Sequence, residues 1–142
     1  RSSAASDVYK RQVHGSGLDE AAVHGTTEIA ELKEDGTIER STLTPADLGA
    51  KRLYSIEEIK GGAPADNALI TEAILAGKGT EAQQAFVTAN LALLLKIGGL
   101  AKSLPEAVEL ARRTMASGKG LEVLNAHRAY AASHTASSQK AA

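Results

Sequence analysis

The chain is 142 residues long, with 43% hydrophobic and 23% charged residues, the ordinary usage of one globular domain with a real core. Its 16 basic and 17 acidic side chains leave a net charge of −1, which gives no electrostatic footprint for nucleic acid or an anionic membrane. Aromatics are 3% and cysteines are absent, which excludes a base-stacking platform, a disulfide framework and a thiolate metal site.

Residues 1–12, R-S-S-A-A-S-D-V-Y-K-R-Q, start without Met and lack the apolar centre of a signal peptide. They are expected to be a foreign leader joined to a gene fragment. The longest strongly apolar run, Phe86 to Leu95, contains Asn90 and is too short to span a bilayer. A soluble, cytoplasmic protein is expected.

Next comes V-H-G-S-G-L-D-E, Val13 to Glu20. Gly15 and Gly17 bracket a serine, and glycine lets a loop turn sharply or approach a ligand closely. Asp19 and Glu20 follow as adjacent carboxylates, which an irregular loop can converge on one cation. Hard oxygen ligands suit Mg²⁺, which takes one or two carboxylates plus substrate phosphates and water. Two readings stay open on spacing alone: a carboxylate pair facing a metal–phosphate complex, or a solvated acidic turn. His24, just before the next strand, is expected to be exposed or hydrogen-bonded locally and has no catalytic role.

T-E-I-A-E-L, Thr27 to Leu32, reads as a strand, and Asp35-Gly36 as a two-residue hairpin turn of type I′. Thr37 to Leu43, rich in β-branched residues, is the returning strand. Thr44-Pro45 is an N-cap with proline at the first helical position, opening a short turn that stops at Gly49. Ser55 with Glu58 fits a capping box for one helical turn, ended by Gly61-Gly62. That glycine pair can bind an anion, but the stronger reading is glycines ending one helix while Asp66 and Asn67 favour the next.

Pro64 to Leu75 reads as a helix stopped by Gly77. Thr80 with Gln83 opens another that reaches about Ile97. Its apolar residues form one stripe of Ala82, Ala85, Phe86, Ala89, Leu93 and Ile97, with Val87, Leu91, Leu94 and Leu95 beside it. A helix apolar over so much of its circumference is expected inside a larger body, with Asn90 as a satisfied core amide and not a ligand. Ser103 with Glu106 caps a helix to about Ala116, on which Arg112-Arg113 form a solvated edge. A last helix runs through Tyr130. The small, polar end has no amphipathic pattern, so residues 134–142 are expected to be disordered.

From Val13 to about Tyr130, the H-G-S-G-L-D-E run, the G-G-A-P-A-D-N segment and L-P-E-A-V-E-L-A-R-R-T-M-A-S-G-K-G-L-E-V-L resemble the C-terminal part of the anthranilate phosphoribosyltransferase family. The resemblance implies an α/β fold: the C-terminal part of a mostly parallel sheet flanked by helices, the large domain of nucleoside phosphorylases and phosphoribosyltransferases, truncated. Residues 13–133 would belong to that domain, with several strands upstream. An apolar strand should lead into Val13, which residues 1–12 do not supply.

The resemblance further implies transfer of a phosphoribosyl group from phosphoribosyl pyrophosphate to anthranilate, in tryptophan biosynthesis. Asp19 and Glu20 align with the family's Mg²⁺-binding pair and would hold the metal without carrying a proton. The family's glycine-rich pyrophosphate loop, its Lys-His-Gly-Asn segment and its anthranilate-contacting arginine belong upstream. This chain alone is therefore expected to be inactive, with no catalytic residue of its own. The full-length enzyme is expected to be a homodimer, and some relatives are fused to a glutamine amidotransferase. Two alternatives are a pyrimidine nucleoside phosphorylase and a non-catalytic nucleic-acid-binding paralogue.

Overall fold

A computed structural model describes residues 11–33 and 35–139. Three strands, β1 (Arg11–Gly15), β2 (Thr27–Leu32) and β3 (Ile38–Leu43), form one antiparallel sheet in the order β1-β2-β3. Five helices follow: α1 (Ile56–Ile59), α2 (Pro64–Leu75), α3 (Glu81–Ile97), α4 (Leu104–Ala116) and α5 (Lys119–Gln139). The class is α/β, as expected. Every strand pair among the described residues is antiparallel, whereas the domain as a whole was expected to carry a mostly parallel sheet.

The sheet begins earlier than the leader boundary suggests. Arg11 and Gln12 belong to β1 and pair with Glu31 and Ala30, and Arg11 makes an ion pair with Glu31 across the two strands. Residues 1–10 of the expected leader lie outside the described residues.

The β2–β3 hairpin forms with its tip at Asp35-Gly36, but the turn is not type I′. Lys33 and Thr37 close the loop, since the Lys33 N–H donates to the Thr37 carbonyl at 2.9 Å. Of Asp35 and Gly36, only Gly36 has positive φ, at 82°. Three loop residues with glycine in the left-handed position replace the two-residue turn. Asp35 accepts from the Thr37 hydroxyl at 2.6 Å and its N–H at 2.9 Å, holding the loop from inside.

Helix starts follow their local signals. Thr80 Oγ1 accepts from the Gln83 N–H at 3.3 Å while Gln83 Oε1 accepts from the Thr80 N–H at 3.0 Å, a reciprocal box opening α3. Ser103 Oγ caps α4 through the Glu106 N–H, and Glu58 accepts from the Ser55 N–H at α1. Asn67 grips Gly62 through both backbone groups, at 2.8 and 3.1 Å, so the glycine pair serves the start of α2. Thr44 and Asp47 close the turn that stops at Gly49.

α3 organises the core. Ala82, Ala89 and Leu93 pack with Ala21, Val23, Ile29, Leu48 and Tyr54, joining the helix to the sheet and the loop after β1. Burying a side chain such as Ile29, 5% exposed, contributes about 1.5–3 kcal/mol. Ala92 meets Ala101, Ala107, Val108 and Ala111 in a second cluster against α4. Of the other expected stripe of α3, Leu91 and Leu95 are half-buried against that second cluster, while Leu94 is 66% exposed.

At the far end Arg112 and Arg113 are exposed, as expected of a solvated edge, while the end of the last helix needs correction. Arg112 in addition donates to the Gly49 carbonyl and ties α4 to the turn after β3. α5 does not stop at Tyr130, and residues 134–139 of the expected disordered tail are helical. No Gly or Pro interrupts residues 121–139, alanine recurs, and the Tyr130 and His134 rings stack one turn apart with centroids 3.9 Å apart. Among the described residues no helix is long and apolar enough to cross a membrane.

Candidate metal centre

The glycine–serine run makes a two-residue turn at the end of β1. Ser16 and Gly17 have φ of 48° and 97°, and Gly15 and Leu18 exchange backbone hydrogen bonds of 3.0 Å each way. Positive φ at both central residues is the type I′ signature. The geometry expected at Asp35-Gly36 therefore occurs at Ser16-Gly17.

Side chains of the same loop lock this turn. Ser16 Oγ donates to the Thr26 carbonyl at 2.9 Å, and His24 Nε2 lies 3.1 Å from the Ser16 carbonyl. His24 thus has the local structural role expected of it. The buried hydroxyl of Thr27 accepts from the Ala22 N–H at 2.9 Å.

Asp19 and Glu20 follow the turn directly, both exposed. Ala21, Ala22 and Val23, next in the chain, are fully buried. The two carboxylates therefore stand where the backbone passes from solvent into the core. Among the described residues neither carboxylate has an ion-pair or hydrogen-bond partner, although ion pairs abound elsewhere on the surface. Glu20 stands between two grooves. One is lined by Leu18, Ile56, Ile59 and Phe86 with Glu57 and Lys60, the other by Phe86, Val87, Leu91 and Leu94.

Among the described residues no group of three or more His, Asp or Glu converges on one point. A protein cage that coordinates a cation by itself is therefore absent from these residues. Two adjacent carboxylates, without an ion pair among the described residues and open to solvent, instead fit a Mg²⁺ that keeps water and shares phosphate ligands.

The anchor behind the pair comes from α3. Asn90 Oδ1 accepts from the Ala21 N–H at 2.8 Å, and Nδ2 donates to the Ala21 and Phe86 carbonyls at 3.2 and 3.0 Å. The sequence marks Asn90 as a satisfied core amide, and it is one. What spacing along the chain could not supply is the partner, 69 residues away. The available signal was an amide set between Ala89 and Leu91, inside the apolar run from Phe86 to Leu95.

Residues 9–121 match the family described as "Glycosyl transferase family, a/b domain". Among curated proteins, the anthranilate phosphoribosyltransferase of Tolumonas auensis is 54% identical over 109 residues, 77% of this chain and 32% of that protein. That of Shewanella putrefaciens is 53% identical over 113 residues, 80% of this chain and 32% of that protein. The chain thus spans about a third of the length of these relatives. Among solved structures, the anthranilate phosphoribosyltransferase of Thermus thermophilus superposes with a TM-score of 0.77 at 30% identity, over 86% of this chain and 35% of that one. A Saccharomyces cerevisiae anthranilate phosphoribosyltransferase, solved in complex with PRPP and Mg, shares the fold with a TM-score of 0.72 at 24% identity, over 82% and 33%. With the family match covering most of its length, from β1 to the start of α5, the chain belongs to the glycosyl transferase family, a/b domain.

Proposed function

We propose that this chain is the carboxylate-bearing segment of an anthranilate phosphoribosyltransferase. The complete enzyme transfers the phosphoribosyl group of phosphoribosyl pyrophosphate to the amino group of anthranilate, giving N-(5-phosphoribosyl)anthranilate and pyrophosphate. The observation that carries the reading is the Asp19–Glu20 pair, exposed and without partners at the edge of the core, in a chain 54% identical to an enzyme of that name. Asp19 and Glu20 would hold Mg²⁺, which supplies Lewis-acid stabilisation of a pyrophosphate leaving group when bound. The chain's own contribution is positional. The Ser16-Gly17 turn presents the pair, the buried Ala21–Val23 segment keeps it from retreating, and solvent exposure leaves both carboxylates free for a ligand.

The other substrate-contacting motifs of the resemblance are not in this sequence. The chain by itself is therefore inactive in this proposal, because orientation of both reactants supplies roughly 7–11 kcal/mol of barrier reduction that one carboxylate loop cannot provide. The complete enzyme works as a homodimer in the cytoplasm. A pyrimidine nucleoside phosphorylase is less well supported, since the relatives at 53–54% identity carry the transferase's name.

The test is Asp19→Asn with Glu20→Gln in the complete enzyme, followed by pyrophosphate release across a Mg²⁺ titration. Turnover should fall on the order of 10²–10³-fold, the scale of several kcal/mol of lost charge stabilisation, with the fold intact. Wild-type rates in the double variant would sink the assignment.

A further inference from the structure

We infer that Asn90 is a positioning residue for the Asp19–Glu20 pair: its amide fixes the Glu20–Ala21 peptide plane and thereby the direction in which the carboxylates leave the core. This inference rests on the metal reading proposed above.

A peptide unit is planar, so holding its N–H holds its carbonyl as well. The Ala21 N–H and the Glu20 carbonyl belong to one such plane. Asn90 Oδ1 accepts from that N–H at 2.8 Å. On the carbonyl side Gly15 passes so close that an added Cβ would lie 2.3 Å from the Glu20 oxygen. Held at its N–H and confined beside the Gly15 backbone, the plane has a fixed orientation, and the backbone torsion that aims the Glu20 side chain is set with it. Asn90 also donates to the Ala21 carbonyl, which fixes the next plane.

The amide orientation is forced. The Ala21 N–H can only donate, so Oδ1 faces it, and Nδ2 spends its two hydrogens on the Ala21 and Phe86 carbonyls. Both amide hydrogens of Asn90 are thus spent on backbone carbonyls, and its oxygen is held against the Ala21 N–H. α3 does not need it: the helix has a reciprocal box at Thr80 and Gln83, and Asn is a weaker helix former than the surrounding Ala and Leu. Its distinct contribution is to the loop that carries the carboxylates. Groups one step behind a metal's ligands typically change metal affinity 10–100-fold when removed.

The experiment is ¹H–¹⁵N NMR of the full chain titrated with Mn²⁺, a paramagnetic substitute for Mg²⁺. Broadening of the amides of residues 18–22 reports occupancy of this site, and the Ala21 amide shift reports its bond to Asn90. Asn90→Leu, close to Asn in shape, should move the Ala21 amide and require roughly tenfold more Mn²⁺ for the same broadening. Asn90→Ser carries the same expectation and keeps the test decisive if the leucine variant does not fold. Val108→Ala, in the cluster between α3 and α4, should lower stability and leave the Mn²⁺ requirement unchanged. A wild-type requirement in the Asn90 variants overturns the inference, and so does an equal weakening in Val108→Ala. Asp19→Asn with Glu20→Gln separates the two levels. Broadening that survives in that variant, or none in the wild type, overturns the metal reading itself.

Discussion

Gly15 and Glu20 meet so closely that a Cβ on the glycine would lie 2.3 Å from the Glu20 carbonyl oxygen. The same methyl would stand 2.5 Å from the Ala22 nitrogen. The close approach follows from the turn. Ser16 and Gly17 reverse the chain within two residues, so the strand end and the carboxylate segment run side by side with no room for a side chain between them.

Gly15→Ala should therefore destabilise the chain by roughly 3 kcal/mol, the upper range for overpacking against atoms that cannot move aside. Gly17→Ala is the contrast. Nothing lies within 4 Å of the added methyl there, and the cost is the left-handed backbone alone, about 1–2 kcal/mol. Urea denaturation of both variants checks the order. A Gly15→Ala protein as stable as wild type contradicts the packing described here.

The hairpin tip gives a second expectation. Gly36 has φ of 82° with open space around its α-carbon, so Gly36→Ala should cost about 1 kcal/mol through backbone strain only. Gly36→Asn should cost less, because asparagine tolerates this conformation. Neither should alter Mn²⁺ broadening at residues 18–22, since the tip takes no part in that loop. The midpoint of chemical unfolding and the metal titration read the two effects separately. Equal losses for Ala and Asn would mean that strain at φ is not the cause.

Glu58 supplies a pH expectation. The Arg52 guanidinium, then the Ser55 N–H, hold its carboxyl well below the ordinary 4.5, at about 2. A depressed carboxylate pKa gives stability that is fully present above the unfolded value and is lost as pH falls through the folded one. The window is thus from about pH 4.5 down to about pH 2. The group is exposed and its share of total stability is small. Carbon-detected NMR of the Glu58 carboxyl should show a midpoint near 2, rising toward 4.5 in Arg52→Met. An unshifted midpoint in that variant would remove Arg52 as the cause.

Local chemistry decided most of what could be read from the chain. The starts of α1, α3 and α4 at Ser55, Thr80 and Ser103, the stop at Gly77 and the β2–β3 hairpin all follow from residues within a few positions of one another. Their hydrogen bonds close inside one turn, so they do not depend on the rest of the fold. The adjacency of Asp19 and Glu20, and the hydroxyl and glycines before them, were legible for the same reason. The readings that changed were those in which context outweighed a dipeptide or a composition. Asp35-Gly36 became part of a three-residue loop, and an alanine-rich end without breakers stayed helical to Gln139.

Tertiary structure alone decided how the carboxylate pair is held. Gly15 packs on the Glu20 carbonyl only because the type I′ turn falls at Ser16-Gly17 and not one residue away. Asn90 reaches Ala21 across 69 residues because α3 lies against the sheet through Ala89 and Leu93, which turns one polar side chain of an apolar helix toward the loop. Hydrogen bonds of this kind have no local signature. They exist only once burial of the alanine and leucine face has placed the helix, and that burial is a property of the whole core.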